Sequence, residues 1–143
     1  LSEMYRDWHK IAAEELADYG LKSSHAIYLT TMTHYSEGIS APKLCEICGK
    51  DKADVSRMMN ILIVKGLAEK KGGVHNRYGG VYILTKKGEK AAEHFLARAS
   101  LAVELAGRDL SRESRENFYE ALDSIVKNLR EMGKNGLPGK VSK

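Results

Sequence analysis

The stretch from Ser40 to Gly66 constrains this chain more tightly than any other. Ser40-Ala41-Pro42 opens a short helix, since proline is tolerated in a first turn, where its missing N–H costs no hydrogen bond. Leu44, Ile47 and Cys48 give that helix an inner face, and Gly49 stops it. Asp51 then caps a second helix whose inner face is Val55, Met58, Met59 and Leu62, and Gly66 ends it. Helices at 41–48 and 52–65, joined through 49–51, form a helix-turn-helix. Behind it the pattern turns extended. Leu67–Lys71 and Gly80–Thr85 read as strands, the second containing Val81-Tyr82-Ile83-Leu84. Gly72–Gly79 between them is glycine-rich at both ends and polar in the middle, which predicts a hairpin with a long, basic-tipped loop. The expected unit is therefore a winged helix-turn-helix.

Charge is concentrated on the same unit. The chain carries a net +4, yet residues 41–90 hold eleven Lys and Arg against five Asp and Glu, so the middle is +6 and the flanks together −2. A basic centre between mildly acidic ends predicts a polyanionic partner. An α-helix fits the major groove of double-stranded DNA. The outer stripe of the second helix, Lys52, Ala53, Asp54, Ser56, Arg57 and Asn60, has side chains suited to reading base edges there. Arg57 suits guanine in a bidentate contact, Asn60 suits adenine, Asp54 can accept from cytosine N4, and Ala53 can touch a thymine methyl. Ser56 serves either a base or a phosphate. Lys43, Lys50, Lys70 and Lys71 are expected to position the backbone. The wing tip, His75-Asn76-Arg77-Tyr78, suits a minor groove or its phosphates.

Helical spacing of apolar residues extends on both sides. Residues 4–19 carry Met4, Trp8, Ile11, Ala12, Leu16 and Tyr19, with Gly20 as the stop. A helix capped by Ser23 or Ser24 is predicted through about Tyr35, and Gly38-Ile39-Ser40 is read as a break. A long helix from about Lys87 to Ala106 has a mostly alanine face. Ser111 caps a last one to about Met132, with Phe118, Leu122, Ile125, Val126, Leu129 and Met132 in register. Residues 133–143 read as a frayed tail. The fold class is mainly α with a small β wing, in one domain over 1–132: a reading unit at about 23–87 and flanking helices at about 4–19 and 87–132. The apolar faces Met4, Trp8, Ile11, Leu16 and Phe118, Leu122, Ile125, Leu129 call for a partner. A second copy of the chain, related by a two-fold axis, supplies one. Two reading helices then face half-sites roughly 34–36 Å apart, which makes the target a pseudo-palindrome.

The run Leu44-Cys45-Glu46-Ile47-Cys48-Gly49-Lys50-Asp51-Lys52-Ala53-Asp54-Val55-Ser56-Arg57-Met58-Met59 resembles the reading unit of the multiple-antibiotic-resistance regulator (MarR) family. Lys65-Gly66-Leu67-Ala68-Glu69-Lys70-Lys71 and Leu84-Thr85-Lys86-Lys87-Gly88-Glu89 resemble that family's KGLxxR and LTxxGE signatures, and Leu110-Ser111 matches its pattern before the final helix. The resemblance covers nearly the whole chain. It implies a dimeric transcription regulator, usually a repressor relieved by a small aromatic or phenolic ligand; Trp8, His25 and Tyr28 are the candidate pocket residues. The sequence departs from the family in two places. The wing's usual Asp-x-Arg is replaced by His75-Asn76-Arg77, and Ile61, Ile63 and Val64 stand where charged residues are usual.

Other functions find less support. The longest aliphatic run, Ile61-Leu62-Ile63-Val64, is far short of the ~20 apolar residues of a membrane helix. Leu1–Asp7 shows no basic-then-apolar export signal, and two cysteines make no disulfide framework, so a cytoplasmic chain is expected. Cys45-x-x-Cys48 has no second cysteine pair for zinc, and the hydrophobic pattern places both thiols on core or half-buried positions. No metal or cofactor is expected. Glu14-Glu15 lie on a polar face with no nucleophile or base at catalytic spacing, and no phosphate loop or nucleophile elbow is present, so enzyme activity is not expected. Two alternatives remain: a winged-helix module whose basic and aliphatic surface, Ile61, Ile63 and Val64 included, meets a protein or RNA, and a thiol switch through Cys45 and Cys48.

Overall fold

A computed structural model describes residues 1–72, 79–137 and 139. The chain falls into two compact units, Leu1–Leu101 and Ala102–Lys143, where the sequence pattern drew one domain over 1–132. In the first unit α1 (Ser2–Leu16) runs into a 3-10 turn and is followed by a second such turn at Ser23–His25 and by α2 (Ala26–Met32). Then come β1 (Ile39–Ser40), α3 (Ala41–Cys48), α4 (Lys52–Val64), β2 (Ala68–Lys71) and β3 (Val81–Leu84). Helix α5 (Lys86–Ala106) begins in this unit and ends in the second, which also holds α6 (Arg112–Asn135).

The helix-turn-helix is fixed by local chemistry. Lys43 N–H donates to Ser40 Oγ at the start of α3, and Asp54 N–H donates to Asp51 Oδ1 at 2.8 Å at the start of α4. Gly49 ends α3 at φ 63°, a left-handed conformation glycine adopts without steric cost. Leu44 and Cys48 of α3 and Val55, Met59 and Leu62 of α4 then turn inward onto Leu29 and Met32 of α2 and Leu16 of α1. Ile47 departs from the pattern. It is 41% exposed, and Cys45 packs against the core instead.

The strands form one antiparallel sheet in the order β1-β3-β2, with Ile39 opposite Tyr82 and Ala68 opposite Leu84. The segment read as a break at Gly38-Ile39-Ser40 thus supplies a two-residue strand, too short for alternation to reveal. Ile39 is 2% exposed because its side chain packs in the hydrophobic core.

Behind the hairpin, the two signature stretches are clasped together. Thr85 Oγ1 donates to the Gly66 carbonyl at 2.6 Å, Thr85 N–H to the Leu67 carbonyl at 3.0 Å, and Gly88 N–H to Thr85 Oγ1 at 3.1 Å. Lys87 Nζ reaches the Lys65 carbonyl at 3.1 Å. Thr85 therefore caps α5 while closing the turn that ends α4.

Two other expectations are corrected here. The helix predicted from Ser23 to Tyr35 is a 3-10 turn followed by the shorter α2, and neither 23 nor 24 caps it; the Lys22 N–H instead donates to His25 Nδ1 at 3.1 Å. Leu16, assigned to a surface between copies, has no exposed area. Exposure falls along α1 from 56% at Met4 to 0% at Leu16, because the end of the helix packs on the core of its own unit.

In the second unit Ser111 Oγ accepts from Ser114 N–H at 3.1 Å and starts α6 as expected. The Arg115 guanidinium donates to the carbonyls of Gly107 and Glu104, pinning the first turn of α6 to the end of α5. No described residue of α6 is buried. Phe118, Ile125 and Leu129 are each about half exposed (48%, 53% and 56%) and lie along one stripe.

Candidate nucleic-acid interface

Helix α4 has two separated faces. Val55, Met59 and Leu62 are without exposed area, and Lys52, Ala53, Ser56, Arg57 and Asn60 all point into solvent. An apolar stripe locked in the core leaves the opposite stripe rigid and free, the condition for a helix that enters a groove.

Asp54 is the exception in the outer row. Its side chain is only 22% exposed, and both oxygens are occupied: Oδ2 accepts from the Tyr28 hydroxyl at 2.7 Å and Oδ1 from Arg57 Nη2. The Tyr28 hydroxyl, then the Arg57 guanidinium, hold its carboxyl below the usual carboxylate range. Burial, then the bond to Asp54, pushes the Tyr28 phenol far above its ordinary value. Asp54 is thus a brace between α2 and Arg57 rather than an acceptor held out to a cytosine. Sequence reasoning missed this part for Tyr28. No local signal announces a hydrogen bond between residues 26 positions apart.

The candidate phosphate-facing lysines are all exposed. Lys43 pairs with Glu46 at 2.9 Å and Lys71 with Glu69 at 3.6 Å, while Lys70 Nζ stands 5.6 Å from the centre of the Tyr82 ring. Such exposed pairs hold weakly and can be exchanged for a phosphate. Lys50, beside the α3–α4 turn, is also exposed. His75, Asn76 and Arg77 of the wing tip lie outside the described residues. Ile61 and Ile63, at the positions usually charged, pack partly against the core, which explains their apolar character; Val64 does not, at 86% exposure.

The three candidate pocket residues fare differently from expectation. His25 and Tyr28 are 2% and 0% exposed and offer no surface to a ligand in this conformation, since both are packed into the core; Trp8 is on the surface at 37%. His25 Nδ1 lies within hydrogen-bond distance of both the Lys22 N–H (3.1 Å) and the Lys22 carbonyl (3.2 Å), and its Nε2 finds no hydrogen-bond partner among the described residues. Cys48 is buried with its thiol pushed up by burial, opposite to the activation that a reactive thiol needs. Among the described residues no group of three His, Cys, Asp or Glu is placed to hold a metal ion. Nor is any helix there long and apolar enough to cross a membrane.

No protein-family model matches the sequence, and no curated protein does. Solved structures do match. A MarR family regulator from Listeria monocytogenes, complexed with 26mer DNA, superimposes at a TM-score of 0.81 with 22% identity, over 99% of this chain and 95% of that one. The fold is that of the MarR regulators. A MarR regulator from Methanosarcina mazei Go1 also gives a TM-score of 0.81, at 20% identity over 92% of this chain and 87% of its own. MarR from E. coli in its oxidized form gives 0.71 at 16% identity, over 87% and 90%. The MarR fold thus accounts for this chain from α1 to α6.

Proposed function

We propose that this chain is a member of the MarR family and a sequence-specific, double-stranded-DNA-binding transcription regulator, not an enzyme. The carrying observation is the outer row of α4, where Lys52, Ser56, Arg57 and Asn60 stand exposed on a helix whose opposite side is locked into the core. The DNA complex of the Listeria protein supports the same use of this fold.

The chain acts in the cytoplasm as a homodimer. Its contact surfaces are the exposed apolar residues Met4, Trp8 and Ile11 of α1 and Phe118, Ile125 and Leu129 of α6, together with the half-buried Leu122. Two-fold symmetry then sets two α4 helices on a pseudo-palindromic operator with half-site centres about one helical turn apart. Its regulatory role is repression, relieved when a small aromatic ligand binds one spacing of the two reading units better than the other. That ligand reaches His25 and Tyr28 only in a conformation that opens the core around them.

Selection from a random duplex library at about physiological salt tests this directly. Enrichment of an inverted repeat supports sequence-specific binding by a dimer; no enrichment rejects it. One observation favours the second reading, a module that binds a protein or RNA: Val64 is 86% exposed beside Ile61 at the end of α4. Salt separates the two, because duplex affinity must fall with a slope of about −0.9 per neutralised phosphate.

A further inference from the structure

The outer row of α4 is tied to the interior at one described point. Tyr28, without exposed area on α2, donates to one oxygen of Asp54, and the other oxygen of Asp54 accepts from Arg57, whose own side chain is 65% exposed. The chain of contacts runs from a buried ring, through a half-buried carboxylate, to an exposed guanidinium one turn further along the helix. We infer that Tyr28 and Asp54 are positioning residues for base readout: they fix which edge of the Arg57 guanidinium faces the groove. This inference rests on the DNA-binding reading above.

The chemistry supports it in three ways. An arginine side chain on a helix surface samples many rotamers, and base discrimination needs its planar fork held in one orientation. A carboxylate bound to one Nη leaves the other N–H donors available and selects that orientation, because a charge-assisted contact constrains direction as well as distance. A carboxylate on a DNA-facing helix would also repel phosphates. Asp54 is tolerated there because the Tyr28 hydroxyl and the Arg57 cation together occupy it. Tyr28 keeps Asp54 from swinging with Arg57 into other rotamers, since its ring is immobilised by the core on every side.

The test measures affinities of the full-length chain for duplexes carrying each base at every position of the selected site. It compares the wild type with Tyr28→Phe, Asp54→Asn, Arg57→Ala and the double variant Tyr28→Phe/Arg57→Ala. Tyr28→Phe is expected to lower discrimination about fivefold to tenfold at the position where Arg57→Ala flattens it, and nowhere else. The salt slope stays unchanged. In the Arg57→Ala background, Tyr28→Phe should alter base preference no further, which a merely structural role would not produce. Asp54→Asn is expected to copy Tyr28→Phe, and as a change of nearly equal volume outside the hydrophobic core it keeps the test decisive should Tyr28→Phe fail to fold. Uniform weakening of every duplex by both variants, or an undiminished effect of Tyr28→Phe without Arg57, overturns the inference and leaves DNA binding standing. A wild-type chain with no base preference overturns the reading beneath it.

Discussion

A methyl group added at Gly88 would stand 1.8 Å from the Leu67 carbonyl oxygen, which no small side-chain movement can relieve. The first turn of α5 lies directly against the backbone that closes the hairpin, and Thr85 ties the two together from both sides. Gly88→Ala is therefore expected to destabilise the chain by about 1–3 kcal/mol, the usual range for overpacking, despite the better helix propensity of alanine. A urea midpoint equal to that of the wild type would contradict the clasp. Asp51→Ala removes the cap of α4 and should cost about 1 kcal/mol in the same assay. The caps at Ser40, Asp51 and Ser111 were legible in the sequence because each reaches only three residues forward. The bonds from Thr85 to Gly66 and Leu67 and the Tyr28–Asp54 bond were not, since they join residues 18 to 26 positions apart that meet only once the chain has folded.

At the scale of elements, the proposed function assigns base readout to α4 and phosphate contact to the hairpin. Arg57→Ala is expected to relax preference at one base position at a cost of about 1–3 kcal/mol, and Lys70→Ala to weaken all duplexes alike and reduce the salt slope by about one. Competition binding at several salt concentrations distinguishes them; equal behaviour of the two variants would reject this division. The bounds of α3 and α4 were legible almost to the residue, because helical periodicity, caps and glycine stops coincide there. β1 was not. Two residues carry no period, and Ile39-Ser40 is a strand only because Val81 and Tyr82 come to lie beside it.

For the whole molecule, burial keeps the His25 imidazole neutral and pushes its pKa below its ordinary 6.5. The unfolded chain takes up that proton near pH 6.5 while the folded one does not, so this contribution is complete above pH 6.5 and lost as the pH falls below it, toward the folded pKa. Thermal midpoints are expected to decline as pH falls below about 6.5, and His25→Gln to flatten that decline. The carboxyls of Asp54 and of Glu15, the latter held low by the Arg98 guanidinium at 2.9 Å, contribute fully above their ordinary values of 3.8 and 4.5 and lose that contribution as the pH falls below them. Ile125→Glu should convert a dimer to a monomer in sedimentation while leaving the helical circular dichroism intact, because Ile125 is 53% exposed in the single chain and its loss opens no cavity.

What the sequence determined by itself is the succession of elements and the two faces of α4, since periodicity, capping and turn residues act over a few positions. It also marked the exposed lysines at 43, 50, 52, 70 and 71, because an ammonium with no buried partner stays in water. The tertiary structure decided which apolar residues are used internally: Leu16 and Tyr28 belong to the core, and Ile47 does not. It also decided that Asp54 faces a phenol and a guanidinium instead of solvent. A stripe of apolar residues says that a face will be covered, and only the folded chain says by what.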